Sequence, residues 1–167
     1  MAARRIMGVD PGLASTGWGL VEYADSRLRY LAHGCIETAA GLPRDERLLR
    51  IHTEFDTVLR RFKPSEAAIE TLYFGKNVSS AIAVAEARGV LRVTIALRGV
   101  PLREFSPNAI KKAVAGESGA EKHQVQEMLR FLLGLSEPPR PDHAADALGA
   151  AICAAHTVGE WGVLVRR

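Results

Sequence analysis

Two acidic residues end predicted strands and could together bind a metal ion. Asp10 ends the apolar segment 5–10, and Glu70 ends the apolar segment 67–70. Short apolar runs of this kind are typical of buried parallel strands, and ligands of α/β sheets collect at the carboxyl ends of the strands. If the two strands are parallel neighbours, both carboxylates emerge at one edge of the sheet. That arrangement predicts a site for a hard divalent cation such as Mg²⁺.

A third acid lies in the last predicted helix, 143–156. His143 and Asp146 are three residues apart and therefore project from one helix face. The helix is otherwise rich in small apolar residues, which predicts that it is buried, and a buried aspartate usually pairs or binds metal. The alternative for Asp146 is simple stabilisation by the helix dipole. Asp142 follows Pro141, and we interpret it as the N-cap of this helix.

Other local features have both a functional and a structural interpretation. Asp10-Pro-Gly is also a good turn sequence, so Asp10 alone could be only a turn former. Tyr73 and Phe74 follow Glu70 by three and four residues, and exposed aromatics beside an acidic site can stack on unpaired bases. The alternative is that these aromatics pack on the next helix.

The first third of the chain predicts an antiparallel meander. Apolar segments 5–10, 18–23 and 28–38 are joined by short links, and Gly17 is assigned with Pro11 and Gly12 to the first turn. An amphipathic helix over 44–62 follows, because its apolar residues recur at spacings of three and four.

The rest of the chain alternates between helices and strands. After strand 67–70, a helix capped by Asn77 or Ser79 runs to about residue 97. The remaining predicted elements are a strand over 100–105, helices starting at Pro107 and spanning 121–133, and the final helix 143–156. This order predicts an α/β fold with a mixed sheet, an antiparallel three-strand meander plus parallel strands, and helices on both faces.

Length, charge and hydropathy narrow the class of protein. The chain has 167 residues, enough for one domain with its own core. We predict a domain over 1–157 and a C-terminal tail over 158–167. The net charge of +3, carried mainly by arginine, is compatible with a nucleic-acid partner. No apolar run is long enough to span a membrane and no signal peptide is evident, so we expect a cytoplasmic protein.

Four motifs, in order and at matching distances, resemble the RuvC family of crossover-junction endonucleases. They are Gly8-Val9-Asp10-Pro11-Gly12 with Thr16-Gly17-Trp18-Gly19, Ile69-Glu70 with Lys76-Asn77, Gln124-Val125, and His143-Ala144-Ala145-Asp146-Ala147-Leu148. The resemblance extends to about His156. It implies a ribonuclease-H-like fold and a homodimer that cuts a four-way (Holliday) DNA junction at two symmetry-related sites. It also implies Mg²⁺ as cofactor, with Mn²⁺ able to substitute and two ions per active site.

The resemblance also implies roles for individual residues. Asp10, Glu70 and Asp146 match three of four acidic positions that are catalytic and bind metal, with Asp10 as the expected bridging ligand. The fourth position holds His143 where many members have Asp. We assign the role to His143 and leave open whether Asp142 substitutes for it. The residues expected to bind DNA are Tyr73, Phe74, Lys76, Lys111 and Lys122. The expected protein partner is a branch-migration complex of the RuvA and RuvB type.

Two other classes of protein remain as alternatives. Asp10-Pro-Gly with Thr16-Gly17 also looks like the phosphate loop of actin-like nucleotide-binding proteins, but those need two such domains, and no Walker A motif is present. A non-catalytic module that binds branched DNA is the second alternative. Three acids near a phosphate backbone argue against it, because they would repel the DNA unless metal ions neutralise them.

Overall fold

The computed structural model describes residues 3–71 and 78–157, and its centre is a five-stranded mixed sheet. The strands are β1 (Arg4–Asp10), β2 (Ser15–Ala24), β3 (Arg27–Glu37), β4 (Glu66–Glu70) and β5 (Leu102–Phe105). The helices are α1 (Arg44–Phe62), α2 (Val78–Leu97), α3 (Pro107–Ala115), α4 (Lys122–Leu133) and α5 (Asp142–His156). The predicted order of elements is confirmed.

Strand β1 lies in the middle of the sheet, whose order is β3-β2-β1-β4-β5. The first three strands form the predicted antiparallel meander, and β4 and β5 continue the sheet in parallel with β1. Val9 pairs with Ile69, so the next residue of each strand, Asp10 and Glu70, lies at the same sheet edge. Both carboxylates therefore start from adjacent strand ends.

Helices cover both faces of the sheet, as predicted. On one face, α1 and α2 contribute Phe55 and Leu91 to a core with Met7 of β1. On the other face, α4 and α5 contribute Leu129 and Leu148 to a second core. Side chains alternate between these two cores along β1, because successive residues of a strand point to opposite faces.

Some predicted element boundaries were wrong. Gly17 is not part of the turn: it lies in β2 and pairs with Asp10 of β1. Strand β5 begins at Leu102, two residues later than predicted. Helix α2 begins at Val78, so Ser79 lies inside the helix and is not its N-cap; Asn77, the other suggested cap, is outside the described residues.

The predicted N-cap of the last helix was also wrong. Pro141 occupies the N-cap position of α5, and its carbonyl accepts hydrogen bonds from the N–H groups of Ala144 and Ala145. Asp142 is instead the first helical residue, and no side-chain hydrogen bond caps the helix. The predicted cap of α3 is confirmed, since the Ser106 hydroxyl accepts a hydrogen bond from the Ala109 N–H at 3.2 Å.

Helix α5 packs against β1 and β2 at unusually close range. A Cβ atom added to Gly8 would lie 1.8 Å from the carbonyl oxygen of Ala147, and one added to Gly17 would lie 1.9 Å from that of His143. The residues of α5 from Ala147 to Ala155 are all buried, and most of them are alanines. Glycine in the strands and alanine in the helix thus allow the two backbones to touch.

No helix in the described part of the chain has the length and apolar character needed to cross a bilayer. The predicted tail, 158–167, lies outside the described residues. The division into a domain and a tail therefore stays a prediction.

The close packing of α5 yields a stability prediction. We expect Gly8→Ala to lower the free energy of unfolding by about 3 kcal/mol, because the added methyl group would overlap helix backbone that cannot move aside. Gly41→Ala is the control: nothing lies within 4 Å of its Cβ position, and a change within about 0.5 kcal/mol is expected there. Urea unfolding of both variants provides the measurement, and equal stabilities would refute the packing argument.

Candidate active site

Three elements bring three carboxylates to one end of the sheet. Asp10 ends β1, Glu70 ends β4, and Asp146 lies in the second turn of α5. The negative charges of Asp10 and Asp146 raise the pKa of Glu70, and that of Asp10 raises the pKa of Asp146. The turn that follows Asp10 is closed by the Thr16 hydroxyl, which donates to the Gly12 carbonyl at 2.7 Å.

Glu70 has the most perturbed acidity in the site. Burial raises the pKa of its carboxyl to about 7, and the negative charges of Asp10 and Asp146 act in the same direction. Arg88 and Lys111 oppose this rise. Without a further cation, Glu70 would therefore be only partly ionised at neutral pH.

Asp146 is perturbed for the same physical reasons. Burial is the largest cause of its raised pKa, followed by the charge of Asp10, while Lys122 and His143 lower it. Buried acids with raised pKa values that face one another are typical of functional sites, because structural carboxylates are usually placed beside cations.

His143 forms a direct hydrogen bond to the site. Its Nδ1 lies 2.6 Å from Oδ2 of Asp10, and the histidine side chain is about half exposed. This hydrogen bond is the main cause that raises the pKa of His143, while burial lowers it. The imidazole therefore tends to keep a proton and to act as the positive group next to Asp10.

The donor atoms of the site suit a hard divalent cation, although the side chains are not arranged around one. Carboxylate oxygens are the ligands that Mg²⁺ prefers, and imidazole suits several other divalent ions. Within residues 3–71 and 78–157, no three His, Cys, Asp or Glu side chains are placed so that they could hold one ion. A bound cation would relieve the mutual repulsion of the acids.

The carboxylate of Asp142 is bound by two side chains of α4. It accepts a hydrogen bond from Lys122 Nζ at 2.8 Å and another from the Gln126 amide at 2.9 Å. The side chain is largely exposed, and Lys122 is the main cause of its lowered pKa. Of the two residues considered for the fourth position, only His143 contacts Asp10.

A cleft of about 310 Å³ opens beside the acids. Glu70 and Asp146 line it together with two lysines, Lys111 of α3 and Lys122 of α4. The cleft thus presents cations around an acidic centre, an arrangement that could bind a phosphate backbone next to the carboxylates. The other predicted DNA-binding residues, Tyr73, Phe74 and Lys76, lie outside the described residues.

Sequence reasoning missed Arg88, which contacts the main chain of a predicted site residue. The Nη1 atom of Arg88, on α2, donates to the Glu70 carbonyl oxygen, and Nη2 donates to Glu104 at 2.5 Å. The sequence contained an indication of this buried contact. An arginine in the middle of a largely apolar helix requires a buried acceptor.

Sequence comparison matches most of the chain to one family. The family model described as crossover junction endodeoxyribonuclease RuvC matches residues 6–154. Proteins of that name from Chloroflexus aurantiacus and Treponema denticola are 49% and 50% identical to this chain, respectively. The alignments cover 92% of this chain and 93% of the first relative, and 88% of this chain and 83% of the second.

Structural comparison agrees with the sequence match. A Thermus thermophilus RuvC in complex with a Holliday junction substrate superposes with a TM-score of 0.86 at 37% identity, covering 91% of this chain and 93% of that one. The yeast mitochondrial Holliday junction resolvase Ydc2 shares the fold, with a TM-score of 0.63 at 14% identity over 90% of this chain and 78% of its own. Given the fold, the cluster of acids and these matches, the chain belongs to the RuvC family of crossover junction endodeoxyribonucleases.

Proposed function

We propose that this chain resolves Holliday junctions in DNA recombination and repair by hydrolysing phosphodiester bonds in two strands. The observation that carries the proposal is the meeting of Asp10, Glu70 and Asp146 at one sheet edge, beside a cleft with two lysines. Uncatalysed hydrolysis of a phosphodiester is very slow, so the site must position the reacting groups and stabilise negative charge. A cluster of carboxylates can stabilise negative charge only if bound cations neutralise it.

Four side chains would hold the divalent cations in this proposal, namely Asp10, Glu70, Asp146 and His143. Divalent cations, for which we propose two Mg²⁺ with Mn²⁺ as a substitute, would activate water and stabilise charge on the scissile phosphate when bound. The raised pKa values of Glu70 and Asp146 support this assignment, because a cation favours the ionised form of both carboxyls.

His143 has two possible roles in the same site. It could bind a cation through a neutral imidazole, which requires that it release the proton shared with Asp10. It could instead keep that proton and hold a water or a phosphate oxygen by hydrogen bonding. In both roles the residue acts beside Asp10, whereas Asp142 acts on Lys122.

The DNA contacts proposed for the described residues come from Lys111 and Lys122. Both line the cleft next to Glu70 and Asp146. Lys122 is paired with Asp142, and a phosphate could replace that exposed partner at little cost, since surface ion pairs contribute roughly 0–1 kcal/mol. Tyr73, Phe74 and Lys76 complete the proposed DNA-binding set, with the aromatics stacking on bases at the crossover.

Resolution by two symmetric nicks requires two active sites, so we include a homodimer in the proposal. We propose that the second copy binds at a groove of about 470 Å³ between α1 and α2, on the sheet face opposite α5. Large apolar side chains are exposed on or beside it, namely Leu49, Ile82, Val93 and Leu97. Monomeric proteins rarely leave such a patch uncovered.

Two features of the groove fit a contact between identical copies. Gly89 leaves open space in its floor, so a partner helix can approach closely. Arg44 and Glu86 form an ion pair of 3.1 Å beside it, so the surface carries both signs of charge and two copies need not repel each other. A two-fold axis through this face would repeat the active site for the second strand.

Two further expectations belong to the same proposal. The partner complex would be of the RuvA and RuvB type, and the compartment would be the cytoplasm. The alternative classes, a nucleotide-binding protein and a non-catalytic DNA-branch-binding module, both predict that a four-way junction stays uncut in the presence of Mg²⁺ or Mn²⁺.

The central test is the loss of one carboxylate. We expect Asp10→Asn to lower junction cleavage by more than about 100-fold, because even residues that only orient metal ligands contribute about 10–100-fold. Junction binding should remain within about threefold. Cleavage is measured on denaturing gels with a labelled four-way junction, and Asp45→Asn, an exposed acid of α1, is the control. Normal cleavage by Asp10→Asn would exclude the proposed role.

A second pair of variants separates His143 from Asp142. We expect His143→Ala to reduce the cleavage rate about 10–100-fold. Asp142→Ala should change it by less than about threefold, because Asp142 bonds to Lys122 and Gln126 and not to Asp10. His143→Asp, which restores an acidic ligand, should recover activity. An inactive Asp142→Ala beside an active His143→Ala would reverse the assignment. Rates are compared over a series of Mn²⁺ concentrations.

The proposed dimer surface can be tested by burying a charge in it. Val93→Asp should raise the dimer dissociation constant at least about 100-fold, since an unpaired buried carboxylate costs several kcal/mol. Phe131→Asp is the control, because Phe131 is also exposed but lies on α4. Sedimentation equilibrium of both variants gives the constants. A Val93→Asp protein that stays dimeric would show that another surface is used.

A further inference from the structure

Arg88 is a nearly buried cation that joins α2 to the ends of two strands. Its side chain is 11% exposed, and its guanidinium group donates to two acceptors. One is the main-chain carbonyl of Glu70, the last residue of β4, and the other is the carboxylate of Glu104 in β5. Arg92, one helical turn further on, also pairs with Glu104 but is 39% exposed.

The geometry calls for a guanidinium group at this position. A planar fork can donate to two acceptors at once, whereas the compact ammonium group of lysine is a point charge. A cation this deeply buried also needs its partners, because leaving one unpaired would cost several kcal/mol. The contacts of Arg88 are therefore specific, and they fix the distance between α2 and the end of β4.

The contact acts at the point where Glu70 leaves the sheet. Up to that residue β4 is held by β5, with Glu70 opposite Phe105 in the register. Thr71 then donates to the Phe105 carbonyl from its N–H at 2.8 Å and from its hydroxyl at 3.0 Å. Thr71 thus holds the chain on the β5 side, and Arg88 holds the Glu70 carbonyl from α2. Together these contacts orient the peptide unit that carries the Glu70 side chain.

We propose that Arg88 is a positioning residue that sets the direction of the Glu70 carboxylate through its hydrogen bond to the Glu70 carbonyl. The inference rests on the proposed role of Glu70 in holding a divalent cation. Arg88 does not need to touch DNA or a cation in this role. Glu104 assists by orienting the guanidinium group, so its loss should have a smaller effect of the same kind.

Divalent-cation binding by the DNA-free protein is the measurement closest to this role. Mn²⁺ affinity, followed by the decrease of the free-ion signal in electron paramagnetic resonance, should fall about 10-fold in Arg88→Met. Arg88→Lys should lose less, because it keeps a donor and the charge, and Glu104→Gln should lie between Arg88→Lys and the wild type. Arg92→Met is the matched control, since it removes a neighbouring cation that does not contact Glu70, and its Mn²⁺ affinity should stay within twofold.

A second readout reports on the hydrogen bond itself. The ¹³C resonance of the Glu70 carbonyl should shift in Arg88→Met and keep its position in Arg92→Met. Junction binding in the presence of a chelator should be unchanged in both variants, because neither residue lies in the cleft. If Arg88→Met does not fold, as thermal melting would show, Arg88→Lys and Glu104→Gln provide the test with the same two measurements.

The outcomes separate this inference from the proposed function. If Glu70→Gln retains wild-type Mn²⁺ affinity and cleavage, the role of Glu70 is wrong, whatever Arg88 does. If Glu70→Gln loses both while the Arg88 variants match Arg92→Met in affinity and in the carbonyl resonance, only the positioning role is overturned. Weakened Mn²⁺ binding with a shifted resonance, confined to the Arg88 and Glu104 variants, supports it.

Discussion

Backbone contact between α5 and the first two strands is the constraint on which the rest of the site depends. Gly8 and Gly17 leave no room for a side chain between strand and helix, since the carbonyl oxygens of Ala147 and His143 lie in the space that a methyl group would need. At this range the first turns of α5 lie beside the end of β1, so that His143 reaches Asp10 directly. A helix separated by ordinary side chains would hold the same residues several ångströms further out.

The same close packing explains the electrostatics of the site. Asp146 and Glu70 are partly withdrawn from water, and each faces other acids at short range, so burial and mutual repulsion both raise their pKa values. Nearby cations offset the rise in these pKa values only in part. They are Arg88 and Lys111 for Glu70, and Lys122 for Asp146. Incomplete compensation by side chains suits a site that binds cations from solution, because the missing positive charge is then supplied by the ion.

The two faces of the sheet have different tasks in this arrangement. The helices α3, α4 and α5 form the cleft at the acids, while α1 and α2 cover the other face and expose an apolar groove. Arg88 lies between these regions. It belongs to α2, yet its guanidinium group donates a hydrogen bond to the carbonyl of Glu70 at the end of β4. In a dimer formed through α2, the same helix would therefore form the interface and hold the Glu70 main chain.

The sequence by itself determined the order of elements, the mixed sheet with helices on both faces, and the family. Apolar periodicity and turn residues report local structure, and short motifs at set distances identify relatives. It also indicated that Asp10 and Glu70 each end a strand, whereas the parallel pairing of these two strands came from the structure. It misplaced Gly17 and Asp142, because a glycine in a strand looks like a turn residue and an acid after proline looks like a cap until the packing partner is known.

Only the tertiary structure decided which side chains meet. It placed His143 on Asp10 and turned Asp142 towards Lys122, a distinction between adjacent residues that depends on the rotation of α5 about its axis. It also brought Arg88 to Glu70, two residues separated by 18 positions and joined through a main-chain carbonyl. Such contacts arise from how elements pack, and local sequence carries no record of a bond to backbone atoms of another element.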